Sequence, residues 1–565
     1  MPEFKPMPRI LLLIAALLPP AFPFALLAAP PAAQFDVVLR NGVICDGSGS
    51  PCTPGGVAIT GDKIVKIGDV TQDHGRSDID VHGQVIAPGF INMMSGPDGL
   101  FADGRGLSDL LQGVTLEVFG EGESMGPVNE QMRAEDLREQ GDIKYPITWN
   151  TLNEGLETLA RHGISPNIAS FLGAATPRVY VLGRANRAPT PAELDRMREV
   201  TDQAMREGAL GVASALIYQP GNYAKTDELI ALARVAAKYK GIYISHIRNE
   251  GNHEMEAIDE LITIARQAQL PAEIYHLKVA GEKNWPNLPQ IIAKVEAARA
   301  AGLKITADMY TYKAGATGLD AAMPPWVQEG GLEQWRKRLQ DPAIRARVKQ
   351  EMLTSDSYDN LMRLAGSPDN VLLVGFKSEK LKPLTGKTLG EVARMRHSDP
   401  EDTAMDLVVE DDSRVETVYF LMREDNIRKQ IVLPWVSFGE DTDPEGIDGV
   451  FLKFSTHPRN FGNFARVYAR YVRDDKLMSV SEAVRKMTSL PASNLGIARR
   501  GMLKEGYFAD VTVFDPQTIQ DHATYEKPRQ LATGVSEVFV NGVEVVHNGE
   551  HTGAKPGRVV RRDRS

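Results

Sequence analysis

Apolar and polar residues follow two different periods along this chain, and the change between them outlines its organisation. Near both ends, apolar and polar residues alternate in short runs separated by Gly, Asn and Asp, as in FDVVLRNGVICDGSG and SEVFVNGVEVVHNG. A period of two is typical of half-buried β-strands. The middle of the chain instead alternates short apolar runs with segments of helical period, such as EMEAIDELITIARQAQ. That alternation predicts parallel strands linked by helices.

The central region contains eight strand-like runs in sequence order. They are VIAPGFINMMS, GVTLEVFGEG, PNIASFLGAA, GALGVASALIY, GIYISHIRNE, AEIYHLKVAG, ITADMYTYKAG and PWVSFGEDTD. Eight consecutive βα units predict an α/β protein with a TIM-type (β/α)8 barrel, here over residues 87–500. Residues 318–433, between the seventh and eighth runs, are predicted to be a long insertion that shapes the active site.

The alternating segments at the two ends are predicted to form one small domain. Residues 34–86 and 501–565 share the same alternation and the same turn residues, so we expect them to combine into a β-sandwich beside the barrel. The last residues, GRVVRRDRS, are expected to be a solvated basic tail.

Residues 1–33 have the pattern of an export signal. Lys5 and Arg9 flank the start of the apolar stretch ILLLIAALLPPAFPFALLAA, and the small residues at 28–33 offer a cleavage site. The stretch is long enough to be considered as a membrane anchor, but the prolines inside it favour a cleaved signal. We therefore expect a periplasmic or secreted protein that has no stable membrane association after signal removal.

Charge and cysteine usage narrow the class further. The formal net charge is −10, and no basic stripe with interleaved aromatic residues occurs, so we expect no nucleic-acid partner. The only cysteines, Cys45 and Cys52, flank the turn-rich hexapeptide DGSGSP. In an oxidising compartment they can form a disulfide that closes a small loop; the alternative is two free thiols on a surface turn.

Potential metal ligands lie at the ends of the predicted strands. His246 ends the run GIYISH, His276 follows AEIY, and Asp441 follows the eighth run in PWVSFGEDTD. A (β/α)-barrel presents its catalytic residues at the carboxyl ends of its strands, so we expect these side chains to converge. Glu121, at the end of the second run, is the candidate third ligand, and Glu123 is its alternative.

These motifs, taken in order, resemble the amidohydrolase superfamily and, within it, the N-acyl-D-amino-acid deacylase (D-aminoacylase) family. The resemblance implies metal ligation by His246 and His276, and a role for Asp441 as a metal ligand or general acid/base. It also implies that Arg459 binds the substrate α-carboxylate. The segments that carry the resemblance span nearly the whole mature chain and include IAPGFI, QGVT, ALIYQPGNYAKTDELIALA, GIYISHIRNEG, DMYTYKAGATGL, STHPRNFGNFARV, AVRKMTSLPASNLGI and RGMLKEGYFADVTVFDP.

The chain departs from the family pattern at one metal position. Where the family reads F-I-D-x-H-x-H, this chain reads FINMMSG, so Met94 and Gly96 take the places of the two histidines. Gly122 takes the place of the cysteine in the family's GNCG turn. Because the ligands for a second ion are missing, we expect one divalent metal ion per chain, with zinc as the expected metal.

Hydrolysis of an amide at neutral pH needs an activated water molecule and a polarised carbonyl, and a zinc-type ion supplies both. We expect Asp441 to take a proton from the water and deliver it to the leaving nitrogen. Lys278, two residues after His276, is predicted to bind the substrate carboxylate or to stabilise charge. Tyr312 is predicted to donate to the developing oxyanion, and Tyr310 is the alternative.

The leading prediction is a metal-dependent hydrolase of a linear amide that deacylates N-acyl-D-amino acids. Two alternatives stay open. One is a cyclic-amide or dipeptide hydrolase of the same superfamily. The other is a non-catalytic barrel that has lost its metal centre. The missing His-x-His pair favours the non-catalytic barrel, whereas the retention of His246, His276 and Asp441 argues against it.

Overall fold

The structure, a computed structural model, describes residues 1–8 and 34–563. Most of the predicted export signal, residues 9–33, lies outside the described residues. Within the described part of the chain, no helix combines the length and the apolar character needed to cross a bilayer.

The strands fall into sheets at the two ends of the chain, in the centre and in the insertion. In chain order they are β1 Phe35–Ile44, β2 Thr53–Thr60, β3 Lys63–Gly68, β4 Gly75–Asp80, β5 Val85–Pro88, β6 Phe90–Asn92, β7 Val114–Phe119, β8 Asn167–Ser170, β9 Leu172–Gly173, β10 Gly211–Ala215, β11 Ile242–His246, β12 Ala272–Ile274, β13 Ile305–Met309, β14 Ala314–Gly318, β15 Val371–Gly375, β16 Glu416–Phe420, β17 Val436–Phe438, β18 Val511–Phe514, β19 Val535–Val540, β20 Val543–His547 and β21 Glu550–His551.

The helices lie mainly between the central strands and in the insertion. They are α1 Asp98–Ala102, α2 Leu107–Leu110, α3 Glu130–Glu139, α4 Leu152–His162, α5 Ala175–Leu182, α6 Pro191–Glu207, α7 Thr226–Lys238, α8 Glu254–Ala268, α9 Leu288–Ala300, α10 Leu332–Arg338, α11 Pro342–Thr354, α12 Leu361–Leu364, α13 Leu389–Arg396, α14 Pro400–Asp411, α15 Glu424–Gln430, α16 Arg459–Arg466, α17 Val480–Met487 and α18 Ser489–Leu495.

Local sequence explains where several of these helices begin and which face they bury. In α4 and α6, the Thr before the helix accepts a hydrogen bond from the third helical N–H, and a Glu at that position bonds back, so both ends of the capping box are satisfied. In α8, buried Ile258, Leu261 and Ala265 recur at helical spacing. This face packs toward the central strands, as the pattern predicts.

Both ends of the chain contribute to one sheet. Its order is β21-β20-β19-β18-β5-β1-β2-β3, with β4 parallel to β1. The two ends meet where β5 runs antiparallel to β18, with Ala87 opposite Thr512. Cys45 and Cys52 form a disulfide between β1 and β2, with the Cα atoms 4.5 Å apart.

The central strands are all parallel, and each of the eight predicted runs contains one of them, except the third, which contains both β8 and β9. Strands β6, β7 and β8 form one sheet, and β9 to β13 followed by β17 form the other. Only Phe171 separates β8 from β9. On the other side, the Met93 N–H donates to the Phe438 carbonyl at 3.2 Å, which joins the segment after β6 to β17.

The segment between β13 and β17 is a folded unit. It contains α10 to α15 and the antiparallel sheet β14-β16-β15. Its own apolar core includes fully buried Leu319, Val371 and Tyr419. This unit supplies residues to the wall of the cavity beside Asp441, so it lies at the carboxyl ends of the central strands.

The basic tail is packed on the protein, and the prediction of a solvated tail is wrong for its described residues. The Ile168 N–H donates to the Arg558 carbonyl at 3.0 Å, and the Val560 N–H donates to the Ile168 carbonyl at 2.7 Å. Arg561 forms an ion pair with Glu157 at 2.5 Å. Main-chain pairing with β8 therefore holds the tail in place, which charge composition alone does not reveal.

Candidate metal centre

Three side chains from the carboxyl ends of central strands meet at one point. Glu121 follows β7, His246 ends β11 and His276 follows β12. One ligand atom from each lies within 4.8 Å of the others. A Glu121 carboxylate oxygen is 3.1 Å from His246 Nδ1 and 3.5 Å from His276 Nε2. The structure thus brings together three of the residues predicted as ligands.

The chemistry of these donors suits a divalent metal ion. Two imidazoles and a carboxylate are ligands that zinc accepts. Both histidines are buried, and the nitrogens that face Glu121 are His246 Nδ1 and His276 Nε2. The Glu121–His246–His276 group can therefore hold a metal ion.

The charged forms of Glu121 and His276 stabilise each other, as the shifts in their pKa values show. Burial raises the pKa of Glu121, but hydrogen bonds from His246 and His276 outweigh it and lower that pKa to about 2. Burial and Lys278 lower the pKa of His276, yet Glu250 and Glu121 bring it up to about 9. The carboxylate is thus ionised and ready to act as a ligand across the neutral pH range.

At the carboxyl ends of the central strands, two of the candidate site residues have backbone φ angles in the left-handed region. His276 has φ of 35° and Asp441 has φ of 58°. The His276 turn is held by Asp308, whose carboxylate accepts a hydrogen bond from the His276 N–H at 2.8 Å. Non-glycine residues in this region cost energy and cluster at functional sites. Their occurrence after β12 and β17 therefore marks this edge of the sheets as functional.

Glu123, the alternative ligand, is directed elsewhere. Its carboxylate pairs with Arg184 at 3.0 Å, and it lies outside the group of three ligand atoms. The Gly122 backbone, with φ of +66°, turns the chain between the two glutamates. The geometry favours Glu121 over Glu123.

Glu250, which the sequence analysis did not single out, contacts both His276 and Lys278. It lies four residues after His246, and its carboxylate is 3.0 Å from His276 Nδ1 and 2.7 Å from Lys278 Nζ. A carboxylate behind a histidine ligand fixes the orientation of the ring. The signal that was available was an acidic residue in the same turn as His246, in HIRNEG.

Lys278 is buried behind His276. Its ammonium contacts Glu250 and, at 2.6 Å, His276 Nδ1. Burial lowers the pKa of Lys278, but the Glu250 charge outweighs burial and raises it to about 12. This cation is therefore held by protein groups, and its predicted contact with a substrate carboxylate stays a prediction.

Asp441 lies beside the three-residue group and is paired with Arg459. Its carboxylate is 2.9 Å from Arg459 Nη2, which also donates to the Asp441 carbonyl at 2.5 Å. Burial raises the pKa of Asp441, and Arg459 opposes that rise. Asp441 and Glu121 line the same cavity of about 260 Å³. A ligand that lies in this cavity beside Glu121 can therefore also contact the Asp441 carboxyl.

Arg459 has hydrogen-bonding capacity to spare. It is 1% exposed, its guanidinium stacks 4.5 Å from the Tyr310 ring centre, and its Nε and Nη1 have no partner among the described residues. The His457 imidazole accepts a hydrogen bond from the Arg459 N–H at 2.9 Å, which fixes the start of α16. Arg459 can therefore donate a further hydrogen bond to an anion from Nε or Nη1.

The two candidate tyrosines lie at different distances from the site. Tyr310 contacts the Lys278 ammonium, the Arg459 guanidinium and, ring to ring at 6.4 Å, His276. Tyr312 instead packs against Arg466, His457 and Tyr525. The structure thus brings Tyr310 to the site and does not bring Tyr312 into contact with the Glu121–His246–His276 group.

The places of the missing family ligands are filled by other atoms. A Cβ atom at Gly96 would lie 1.9 Å from Asp443 Oδ1, and one at Gly122 would lie 2.9 Å from the Ala215 Cβ. Met94 is buried in an apolar cluster with Ile91 and Tyr275. Larger side chains at 96 and 122 are therefore excluded by close packing unless their neighbours shift.

A larger cavity of about 450 Å³ adjoins this centre. Asp441, Thr442 and Asp443 line both cavities, and the larger one also includes Arg459 and residues of the insertion. Concave sites with a few convergent polar groups are the usual places for small ligands.

Comparison with known proteins agrees with this arrangement. Residues 79–546 match the amidohydrolase family. The chain is 32% identical over 537 residues to the D-aminoacylase of Alcaligenes xylosoxydans xylosoxydans, covering 94% of this chain and 98% of that protein.

Solved structures give the same result. A D-aminoacylase crystal structure superposes with a TM-score of 0.77 at 30% identity, covering 94% of this chain and 100% of that one. Another structure of D-aminoacylase is described by its binuclear metal centre. The N-acyl-D-glutamate deacylase of Bordetella bronchiseptica, solved with zinc and a phosphonate inhibitor, also has a TM-score of 0.77, at 28% identity over 93% of this chain and 99% of that one. With this extent of similarity in sequence and in fold, the chain belongs to the amidohydrolase family, in the group of the D-aminoacylases and N-acyl-D-amino-acid deacylases.

Proposed function

We propose that this protein is a metal-dependent hydrolase that removes the acyl group from N-acyl-D-amino acids. The observation that carries the proposal is the meeting of Glu121, His246 and His276 next to the Asp441–Arg459 pair, in adjoining cavities. The relatives named D-aminoacylase and N-acyl-D-glutamate deacylase support the substrate class.

Glu121, His246 and His276 would hold one zinc ion. When bound, such an ion acidifies water and polarises a carbonyl, which are the two requirements of amide hydrolysis. Glu250 and Lys278 hold the His276 ring in position from behind. Met94, Gly96 and Gly122 stand where the family has further ligands, which supports one ion per chain.

Asp441 would move the proton. Its carboxylate lines the same cavity as Glu121, and burial favours its protonated form while Arg459 favours the charged form. A carboxyl balanced in this way can accept a proton from the attacking water and donate it to the leaving nitrogen.

Arg459 would bind the α-carboxylate of the substrate through Nε or Nη1, which have no partner among the described residues, while Nη2 stays on Asp441. A hydrogen bond from a guanidinium to a carboxylate is assisted by both charges and is stronger than a neutral one. Tyr310, which lies under this guanidinium and beside Lys278, is the better placed of the two tyrosines to donate to a developing oxyanion.

We infer that the central strands close into a TIM-type (β/α)8 barrel, with β8 and β9 counted as one strand. The parallel pairings and the hydrogen bond between Met93 and Phe438 support this closure. We also infer that the terminal sheet folds as a β-sandwich beside the barrel. The pattern of residues 1–33 supports export to the periplasm or medium.

The test is hydrolysis of N-acetyl-D-leucine and N-acetyl-L-leucine by the zinc-loaded protein, followed as release of free leucine. We expect turnover of the D-isomer in excess over the L-isomer. Absence of turnover with both, together with turnover of a cyclic amide such as a hydantoin, would replace the proposal by the cyclic-amide alternative.

Metal content tests the centre separately. We expect about one equivalent of zinc per chain in protein prepared without chelators, and loss of that zinc in His246→Ala and His276→Ala. Glu123→Ala is the matched control, because this neighbouring carboxylate points to Arg184, and it should keep the zinc. Two equivalents in the wild type, or none, would contradict the single-ion centre.

A further inference from the structure

The cavity of about 450 Å³ beside Asp441 has an excess of negative charge. Seven acidic and three basic side chains line it. Most of these carboxylates have a cationic partner: Asp441 pairs with Arg459 at 2.9 Å, Glu445 with Arg529 at 2.6 Å, and Asp142 with Lys382 at 2.9 Å. Paired carboxylates are satisfied by the protein itself.

Three of the seven carboxylates, those of Asp98, Asp443 and Glu416, have no Lys, Arg or His nitrogen within the 4.0 Å of an ion pair among the residues that the structure describes. Burial raises the pKa of Glu416 and the nearby Arg414 charge opposes that rise, so Asp98 and Asp443 are the two without such a cation. Asp98 accepts a hydrogen bond from the Tyr145 hydroxyl at 2.7 Å, and the carboxylate of Asp443 accepts one from the Asp98 N–H. The two carboxyl groups thus lie close together in the cavity wall without a neutralising charge.

The position of Asp443 depends on Gly96. The Asp443 Oδ1 atom occupies the space that a Cβ at Gly96 would take, at 1.9 Å. Gly96 stands where the family has the second histidine of its His-x-His pair. A histidine at position 96 would exclude the Asp443 carboxylate from its present place. The same glycine therefore removes a metal ligand of the family and makes room for an unpaired carboxylate at the cavity.

A second observation points to a ligand in this cavity. Arg459 lines the same cavity, is 1% exposed, and keeps Nε and Nη1 without a partner among the described residues. One wall therefore offers unused N–H donors, and another offers unneutralised carboxylates. A ligand that satisfies both carries an anionic and a cationic group.

We infer that Asp98 and Asp443 form a subsite for a positively charged side chain, so that the substrates are N-acyl derivatives of basic D-amino acids such as D-lysine. This inference rests on the proposed function, with the α-carboxylate at Arg459. An ammonium group between Asp98 and Asp443 offsets their mutual repulsion. A neutral side chain leaves both carboxylates desolvated and unpaired, and an acidic one adds repulsion, so the subsite selects by rejection as well as by attraction.

The experiment compares kcat/KM for N-acetyl-D-lysine and N-acetyl-D-norleucine, which differ by the terminal ammonium group, with N-acetyl-D-glutamate as the anionic arm. We expect a preference for the lysine over the norleucine derivative of about 10- to 100-fold, with the glutamate derivative the poorest. Equal rates, or a preference for norleucine, would overturn the inference.

Variants localise the effect. Asp443→Asn and Asp98→Asn should each lower the ratio of lysine to norleucine kcat/KM by about 10-fold, because the lysine derivative loses an attraction and the norleucine derivative no longer leaves two carboxylates unpaired. Gly96→Ala should do the same without removing a charge, because the added methyl displaces the Asp443 carboxylate. Asp142→Asn is the matched control: its carboxylate lines the same cavity but is paired with Lys382, so the ratio should stay as in the wild type. An unchanged ratio in all three test variants would contradict the assignment.

Failure of this inference is distinguishable from failure of the proposed function. If N-acetyl-D-norleucine is hydrolysed and N-acetyl-D-lysine is not favoured, the deacylase function is supported and the cation subsite is contradicted. If no N-acyl-D-amino acid is hydrolysed, calorimetric binding of free D-lysine and D-norleucine still tests the subsite, with tighter binding of D-lysine expected and its loss in Asp443→Asn. Equal binding of the two amino acids would overturn it. A preference that follows a cation placed in the acyl group, in 6-aminohexanoyl-D-norleucine against hexanoyl-D-norleucine, would also overturn the assignment to the amino-acid side chain.

Discussion

At the scale of single residues, Asp441 and Arg459 hold each other in place after β17. The ion pair at 2.9 Å and the second hydrogen bond to the Asp441 carbonyl keep the carboxylate at the edge of the cavity that includes Glu121. The left-handed backbone of Asp441 gives this turn a fixed direction. The pair therefore joins the proposed proton-transfer group to the proposed carboxylate-binding group.

Asp441→Asn removes the proton acceptor and keeps the size of the side chain. We expect kcat to fall by about 10²–10⁴-fold, because a placed carboxylate contributes about that much to proton transfer. Zinc content should stay near one equivalent, since Asp441 lies outside the three-ligand group. Turnover close to that of the wild type would remove Asp441 from the mechanism.

Arg459→Lys keeps the charge but replaces the planar guanidinium, which can bind Asp441 and a substrate at once, by a single ammonium. We expect kcat/KM for an N-acyl-D-amino acid to fall by about 10-fold or more. The same variant should treat the α-carboxamide analogue, which carries no carboxylate, much as the wild type does. If the wild type hydrolyses acid and amide equally well, carboxylate binding by Arg459 is wrong.

Glu273, in β12, makes stability depend on pH. It is fully buried between Thr306 and Asn494, and burial followed by the Asp308 charge raises its pKa from 4.5 to about 8. Between these values the folded protein keeps a proton that the unfolded chain releases, so the free energy of unfolding falls as pH rises from about 4.5 to 8. Below and above this window the contribution of Glu273 is constant.

In Glu273→Gln this contribution disappears. Between pH 5 and pH 8, the free energy of unfolding, measured with urea, should therefore fall by roughly 2–4 kcal/mol less in the variant than in the wild type. The exposed Glu256→Gln on α8 is the control and should keep the wild-type slope. Identical slopes in wild type and Glu273→Gln would show that Glu273 is ionised in the folded protein at neutral pH.

At the scale of elements, a buried ion pair joins α5 to α7. Arg178 Nη1 donates to both carboxylate oxygens of Glu228, at 2.9 and 2.7 Å, and Nη2 donates to the carbonyls of Ala185 and Arg187. Arg178 is fully buried. One side chain thus fixes the contact between two helices and the loop after α5.

Arg178→Met leaves the Glu228 carboxylate buried without a partner. We expect a loss of about 3–5 kcal/mol in the free energy of unfolding, measured by urea denaturation, because breaking a buried pair is costly. Arg196→Met on α6 removes an exposed pair with Glu199 and should change stability little. Similar small effects in both variants would show that water reaches Glu228 in the folded protein.

At the scale of the whole molecule, the last residues join the two ends of the chain to the central strands. The tail pairs with β8 through Ile168, and Asn541 donates to the side chain of Asn167 at 2.8 Å. Arg500 and Asp510, paired in the same buried region, complete this contact. The terminal sheet is therefore anchored on the central strands by polar groups as well as by apolar packing.

Removal of residues 557–565 deletes these main-chain bonds and exposes the edge at Ile168. We expect the midpoint of thermal unfolding to fall by a few degrees, because a change of about 1 kcal/mol shifts it by about 2–4 °C in large domains. Circular dichroism measures this change. Arg561→Ala keeps the main-chain bonds and loses only side-chain contacts, with Glu157, Asn153 and the Glu207 carbonyl, so it should change the midpoint less than the truncation does. A truncated protein as stable as the wild type would contradict the role of the tail.

The order of the central strands and the positions of two candidate ligands were accessible from the sequence alone. Apolar runs such as GIYISH and AEIYH predict parallel strands, and the carboxyl ends of such strands lie at one edge, so His246 and His276 could be placed together before any coordinates. The loss of the family ligands at Met94, Gly96 and Gly122 is likewise a property of the sequence.

Other features depend on contacts between residues far apart in the chain, and only the tertiary structure decided them. Glu250 contacts His276 and Lys278 because two strand ends meet, Tyr310 rather than Tyr312 faces the site, and Asp443 fills the space left by Gly96. The tail is bound through main-chain hydrogen bonds to Ile168, which carry no signature in side-chain composition. Periodicity reports which face of an element is buried, whereas the partner of a polar atom is set by the packing of separate elements.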